Sequence, residues 1–241
     1  MTAIDGIANH GSYDRNLLLD FVRPLPEINF EPAGIALLCV DMQYMDAHPD
    51  FGLFAAARER GLEAELGYYY GRLGKIVPNI ARLQTAFRDA GMEVIHTKVA
   101  ALTHDERDRS ACNRLLGISS PAGTRESEIL ADLAPTADEL VLTKTCSGVF
   151  NSHTNIDQLL RNLGIHTLIV VGVVTNNCVY MAAADASDRG YTVGVVEDGC
   201  AALSEQAHQF AITNLGDFYG KVLGTADVVA ALEARSRTGV A

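Results

Sequence analysis

Cys178, Asp41 and Lys144 are residues of this chain whose types could do chemistry together. A thiolate is a nucleophile, a carboxylate can carry a proton to and from it, and an ammonium stabilises both anions. Cys178 comes shortly after the run Leu168-Ile169-Val170-Val171, with Gly172 and the short polar residues Thr175-Asn176-Asn177 between. That order predicts a strand buried on both faces, a polar cap, and a helix through Cys178 and Ala184 that stops at Gly190. A cysteine in the first turn of a helix sits among unpaired N–H groups, which lowers its pKa. Asp41 ends the apolar run 35–40, and Lys144 ends the run 140–143. Each residue also has a plainer reading: core filler for the cysteine, a turn former for the aspartate, a solvated end charge for the lysine. At the carboxyl ends of three strands of one sheet they converge, because that edge is where doubly wound sheets bind ligands.

The elements that must position them alternate in type. Strands are predicted at 35–40, 92–97, 140–143, 168–171, 191–197 and 221–223. Helices are predicted at 54–66, 72–90, 126–133, 155–162, from Cys178 towards Gly190, at 204–215 and at 226–234. In the second of these, Ile76, Ile80, Leu83 and Phe87 fall on one face at helical spacing. Continuous apolar strands between helices imply an α/β fold, a three-layer αβα sandwich around a mainly parallel six-stranded Rossmann-like sheet. Residues 1–30, broken by Gly6, Gly11, Pro24 and Pro26, read as an arm over the surface or a neighbouring subunit, and 31–241 as one domain. The polar stretch from Lys98 to Arg125 is long for a connection in a compact domain and reads as functional or as a lid.

The net charge of −11 argues against nucleic acid or an anionic membrane as a partner. No apolar run reaches transmembrane length. The start, Met1-Thr2-Ala3-Ile4-Asp5-Gly6, lacks a signal-peptide pattern. Five cysteines, odd in number and without a Cys-x-x-Cys pair, fit a reduced, cytoplasmic protein. No Gly-x-Gly-x-x-Gly follows the first strand, so no dinucleotide cofactor is expected. His48, His96, His104 and His153 lack ligand spacing, and His96 reads as a satisfied interior histidine.

Val40-Asp41-Met42-Gln43, Lys144-Thr145-Cys146-Ser147-Gly148-Val149-Phe150 and Gly172-Val173-Val174-Thr175-Asn176-Asn177-Cys178-Val179 carry a resemblance. In order and spacing they resemble the isochorismatase-like cysteine hydrolase superfamily over roughly residues 33 to 230. That superfamily includes nicotinamidases, N-carbamoylsarcosine amidohydrolase, and ureidoacrylate and biuret hydrolases. The resemblance implies a triad of Asp41, Lys144 and Cys178. It also implies a cis peptide between Val173 and Val174 and an oxyanion held by the amides of Val174 and Cys178. Gln43, Phe150 and Arg109 are carried as substrate contacts, against plainer readings of packing for Phe150 and solvation for Arg109.

Three departures sharpen the expectation. The first motif continues as Tyr44-Met45-Asp46 where family members often have Asp-Phe. Val99-Ala100-Ala101 stands where nicotinamidases carry an Asp-x-His metal cluster, so no metal and no other cofactor is expected. The glutamine of biuret hydrolases has no counterpart around Asp217-Phe218-Tyr219. Because the family's isochorismate-cleaving members generally lack the nucleophilic cysteine, the resemblance with Cys178 present implies C–N hydrolysis of a small amide, ureide or carbamoyl compound through a thioester; a homodimer or homotetramer is also expected. Two alternatives stay open: a vinyl ether hydrolase, and a catalytically idle binding member.

Overall fold

The computed structural model describes residues 24–30 and 33–237. Six strands form one all-parallel sheet: β1 (Ile35–Val40), β2 (Glu93–Val99), β3 (Leu140–Lys144), β4 (Thr167–Val173), β5 (Thr192–Ala201) and β6 (Lys221–Leu223). Their order is β3-β2-β1-β4-β5-β6, so the chain winds outward in one direction from β1 and then returns to β4 to wind the other way. The helices are α1 (Tyr44–Ala47), α2 (Gly52–Glu59), α3 (Gly67–Asp89), α4 (Ala111–Leu116), α5 (Ile156–Asn162), α6 (Tyr180–Asp188), α7 (Glu205–Phe218) and α8 (Thr225–Arg237).

Alternation along the strands divides the core in two, since successive side chains point to opposite faces. Ile35, Leu37 and Cys39 pack with Ile76, Ile80, Leu83 and Phe87 of α3 and with Val228 of α8. Ala36, Leu38 and Val40 pack with Leu160 of α5, Ala182 and Ala186 of α6, and Leu215 of α7. The three-layer sandwich and the buried stripe of α3 are therefore as the sequence predicts.

The boundaries differ in places for physical reasons. The predicted helix 54–66 breaks at Gly61, whose φ of +68° belongs to the left-handed region, and a short 3₁₀ turn, Glu63–Leu66, leads into α3. The predicted helix 126–133 is two 3₁₀ turns, Arg125–Ser127 and Ala131–Leu133. Between them Ile129 bridges to Gln43, and Leu130 N donates to Met42 O. Within the long polar segment, α4 forms with Ser110 as its cap, and Ser110 Oγ accepts from Asn113 N. Glu106 and Asp108 fasten that segment, accepting from Ser119 Oγ at 2.7 Å and from Leu102 N at 2.7 Å.

Of the predicted arm, residues 1–23 lie outside the described residues. Ile28 and Phe30 pack against the chain's own core beside α3 and α8, and Glu27 pairs with Lys221 of β6 at 2.6 Å. Among the described residues no helix is long and apolar enough to cross a membrane.

Candidate active site

The reversal of strand order places β1 and β4 side by side, and this switch point is where a crevice opens in a doubly wound sheet. Val40 is in register with Gly172. A Cβ on Gly172 would lie 2.0 Å from Val40 O, and φ there is +119°, so only glycine lets the strands close up at this level. Just beyond, Asp41 leaves β1 and Cys178 leaves β4.

Asp41 adopts φ +52°, a left-handed turn uncommon outside Gly, Asn and Asp. Its carboxylate is buried: Oδ1 accepts from Thr97 Oγ1 at 2.8 Å, and Oδ2 lies 2.8 Å from Lys144 Nζ. Lys144, the last residue of β3, is fully buried. To reach Asp41 it crosses the end of β2, which lies between β3 and β1. Its Nζ donates to Cys146 O at 3.0 Å and lies 3.6 Å from Cys178 Sγ. The three residues singled out by type thus meet around one ammonium.

Electrostatics correct one expectation. Burial, and then the neighbouring Asp41 carboxylate, push the Cys178 thiol well up, and Lys144 only partly offsets them. The predicted lowering fails because burial and the adjacent carboxylate outweigh the ammonium. Thr175–Val179 is a π-turn, Val174 precedes it, and no side chain caps it. Burial opposes the charge on Lys144, but Asp41 and Cys178 outweigh it and hold the ammonium's pKa above its ordinary value. A second carboxyl stands nearby: Asp46 of α1, part-buried, is pushed up to about 7 by burial and by the charge of Asp41.

The Val173–Val174 peptide is cis. The residues carried as substrate contacts have the following partners within the chain. Gln43 is fully buried, its Nε2 donating to Val99 O at 2.9 Å and Glu126 O at 3.0 Å and its Oε1 accepting from Val99 N at 2.7 Å. With both donors engaged it ties β2 to the 120s segment and has none left for a substrate. Arg109 donates to Ile118 O at 2.8 Å and to Glu106 O at 3.3 Å, closing its own loop. Phe150 packs 6.1 Å from the Tyr191 ring with the Arg189 guanidinium above it. Its ring has these packing partners within the chain.

His96 is buried, with Nε2 3.2 Å from Glu139 Oε2 and Nδ1 without a partner among the described residues. Among the described residues no three His, Cys, Asp or Glu side chains are gathered to hold a metal ion.

Sequence reasoning passed over His208. It is fully buried in α7, with Nδ1 2.9 Å from Thr175 Oγ1 in the turn that carries Cys178. Its separation from that turn along the chain leaves no motif to find it by.

Comparison with known proteins places this geometry. The isochorismatase domain model matches residues 36–227. The ureidoacrylate amidohydrolase RutB of Serratia proteamaculans is 30% identical over 218 residues, 81% of each chain. The protein of that name from Yersinia enterocolitica is 30% identical, over 83% of this chain and 89% of its own. A cysteine hydrolase from Pseudomonas syringae superposes with a TM-score of 0.74 at 24% identity, covering 88% of this chain and 98% of its own. N-carbamoylsarcosine amidase from Thermoplasma acidophilum does so with a TM-score of 0.62 at 27% identity, covering 80% and 96%. A domain match across most of the chain, on a sheet whose switch point gathers an aspartate, a lysine and a cysteine, decides the matter: the chain belongs to the isochorismatase family.

Proposed function

We propose that the protein is a cysteine-dependent amidohydrolase that cleaves a C–N bond of a small amide, ureide or carbamoyl compound through a thioester. The observation that carries this reading is the contact chain Asp41–Lys144–Cys178, 2.8 Å and 3.6 Å, at the switch point. The names borne by the relatives, ureidoacrylate amidohydrolase and N-carbamoylsarcosine amidase, supply the substrate class.

The raised pKa of Cys178 defines the first step. The thiol keeps its proton until a carbonyl is in place; Asp41 then takes that proton as Sγ attacks the carbon. Lys144 stabilises the developing sulfur anion and holds the carboxylate in reach. Backbone amides at Val174 and Cys178 hold the oxyanion. Asp41 returns the proton to the leaving nitrogen as the C–N bond breaks, releasing ammonia or an amine and leaving the acyl group on sulfur. Water, deprotonated by Asp41, attacks the thioester and regenerates the thiol.

The test is a panel of ureidoacrylate, N-carbamoyl amino acids, biuret, nicotinamide and simple amides scored for ammonia, with Cys178→Ala alongside and intact mass read during turnover. The expected result is ammonia release, an acyl adduct on the Cys178 peptide, and a loss of about three orders of magnitude or more in the variant. Turnover by Cys178→Ala near the wild-type rate, or pyruvate release from a vinyl ether in place of ammonia, would overturn it.

A further inference from the structure

Behind Cys178, away from Lys144, runs a second chain of polar groups that the reaction itself does not use. Thr175 opens the π-turn and is fully buried, and its hydroxyl meets His208 Nδ1 at 2.9 Å. On the other side of the imidazole, Nε2 lies 2.9 Å from Glu197 Oε1 and 2.8 Å from Arg72 Nη2. Arg72 and Glu197 pair at 2.6 Å. Arg72 also donates to the carbonyls of Glu197 at 2.7 Å and Cys200 at 3.0 Å. Hydrogen bonds from His208, then from Arg72, hold the Glu197 carboxyl down to about 2 despite burial.

The elements involved give the chain its reach. Arg72 belongs to α3 in one helical layer and His208 to α7 in the other, and Glu197 lies in β5 between them. The carbonyls gripped by Arg72 belong to the end of β5, where Cys200 and Ala201 are in register with Gly172 and Val173. The network therefore clamps both layers and two strand ends around the segment that leads into Cys178. Glu197 can only accept and Arg72 can only donate, and both lie within hydrogen-bond reach of Nε2. In either tautomer Nδ1 remains paired with the Thr175 hydroxyl, which can donate to it or accept from it.

We infer that His208, backed by Glu197 and Arg72, is a positioning residue for the nucleophile: it holds Thr175, and through it the turn that aims Cys178 and the amides beside it. A buried polar chain with its partners met confers a single arrangement where apolar packing alone would tolerate several. Cys178 is three residues from Thr175, so rotation at Thr175 displaces the sulfur while Asp41 and Lys144, on other strands, stay in place.

The inference rests on the nucleophile reading above, and the test separates the two. Thr175→Val removes the hydroxyl at constant shape, and Thr175→Ser restores it. In the valine variant kcat for the best substrate of the panel should fall about tenfold with KM within about twofold, and serine should recover most of it. Iodoacetamide labelling of Cys178, read by peptide mass, should move the other way and quicken about threefold or more as the turn loosens. A purely structural hydroxyl would lower the melting temperature without this opposed pair of changes. Should the valine variant fail to fold, Glu197→Gln at the more exposed end should give the same signs at about threefold in kcat.

Turnover and labelling both at wild-type values in Thr175→Val or Glu197→Gln, with Cys178→Ala inactive, overturn the inference and leave the nucleophile standing. Turnover that survives in Cys178→Ala overturns the nucleophile instead. Unchanged labelling then removes the positioning role as well.

Discussion

Asp41 and Lys144 form an ion pair at 2.8 Å with neither side chain open to solvent. Such a pair contributes little net stability against water, but breaking it strands one charge in the interior. Lys144→Ala should therefore destabilise the protein by roughly 3–5 kcal/mol, about 10 °C in melting temperature for a chain of this size. A melting shift within measurement error would mean that water reaches Asp41.

Cys178 and Asp41 oppose one another's charge, and the sign can be read chemically. Burial comes first and the Asp41 carboxylate second among the causes that raise the thiol. Asp41→Asn removes the second cause, so iodoacetamide should label Cys178 faster at neutral pH even as turnover is lost. Slower labelling in that variant would contradict the arrangement.

Asp46 should impose a pH slope on stability. Its carboxyl titrates at about 7 in the fold against the ordinary aspartate value of 3.8, so the folded protein holds that proton more tightly than the unfolded chain. Its stabilising contribution is complete below 3.8 and is lost as pH rises through 7. Asp46→Asn should lack that loss, so its urea midpoint relative to wild type should improve steadily from acid to mildly alkaline pH. A constant difference across that range would refute the shift.

Gly172 and Gly61 offer a matched pair. Both have positive φ, but a methyl at 61 meets nothing within 4 Å among the described residues, whereas one at 172 strikes the backbone of Val40. Gly61→Ala should cost about 1 kcal/mol. Gly172→Ala should cost several times that and take the activity with it, because β1 must retreat from β4. Equal melting temperatures for the two variants would show that the strands yield there freely.

What the sequence disclosed follows the physics of each signal. Buried parallel strands write themselves as continuous apolar runs, so β1 was legible to the residue and β4 in its middle, and with them the rim carrying Asp41, Lys144 and Cys178. The stripe of Ile76, Ile80, Leu83 and Phe87 made α3 legible, although Gly67 and Gly71 concealed its first turn. Local propensity says nothing of a turn held by tertiary bonds. Thr175-Asn176-Asn177 looked like a cap, but the Thr175 hydroxyl is taken by His208 and the turn winds as a π-helix. The direction of the Cys178 shift was lost for the same reason, since it depends on depth of burial and on the identity of the nearest charge. Gln43 carried a motif position, yet its amide serves the scaffold.

The strand order has a consequence for how the protein comes into being. Asp41 and Lys144 are brought together on the β3-β2-β1 side of the sheet, while Cys178 arrives only when β4 has docked against β1. Neither half of the chain holds all three residues of the proposed centre. During refolding, secondary structure and much of the core can form in each half before the seam between β1 and β4 closes, and pairing so distant in sequence is slow. Recovery of catalysis is thus a clock for that one seam, and it should lag every spectroscopic sign of folding that reports on the halves alone.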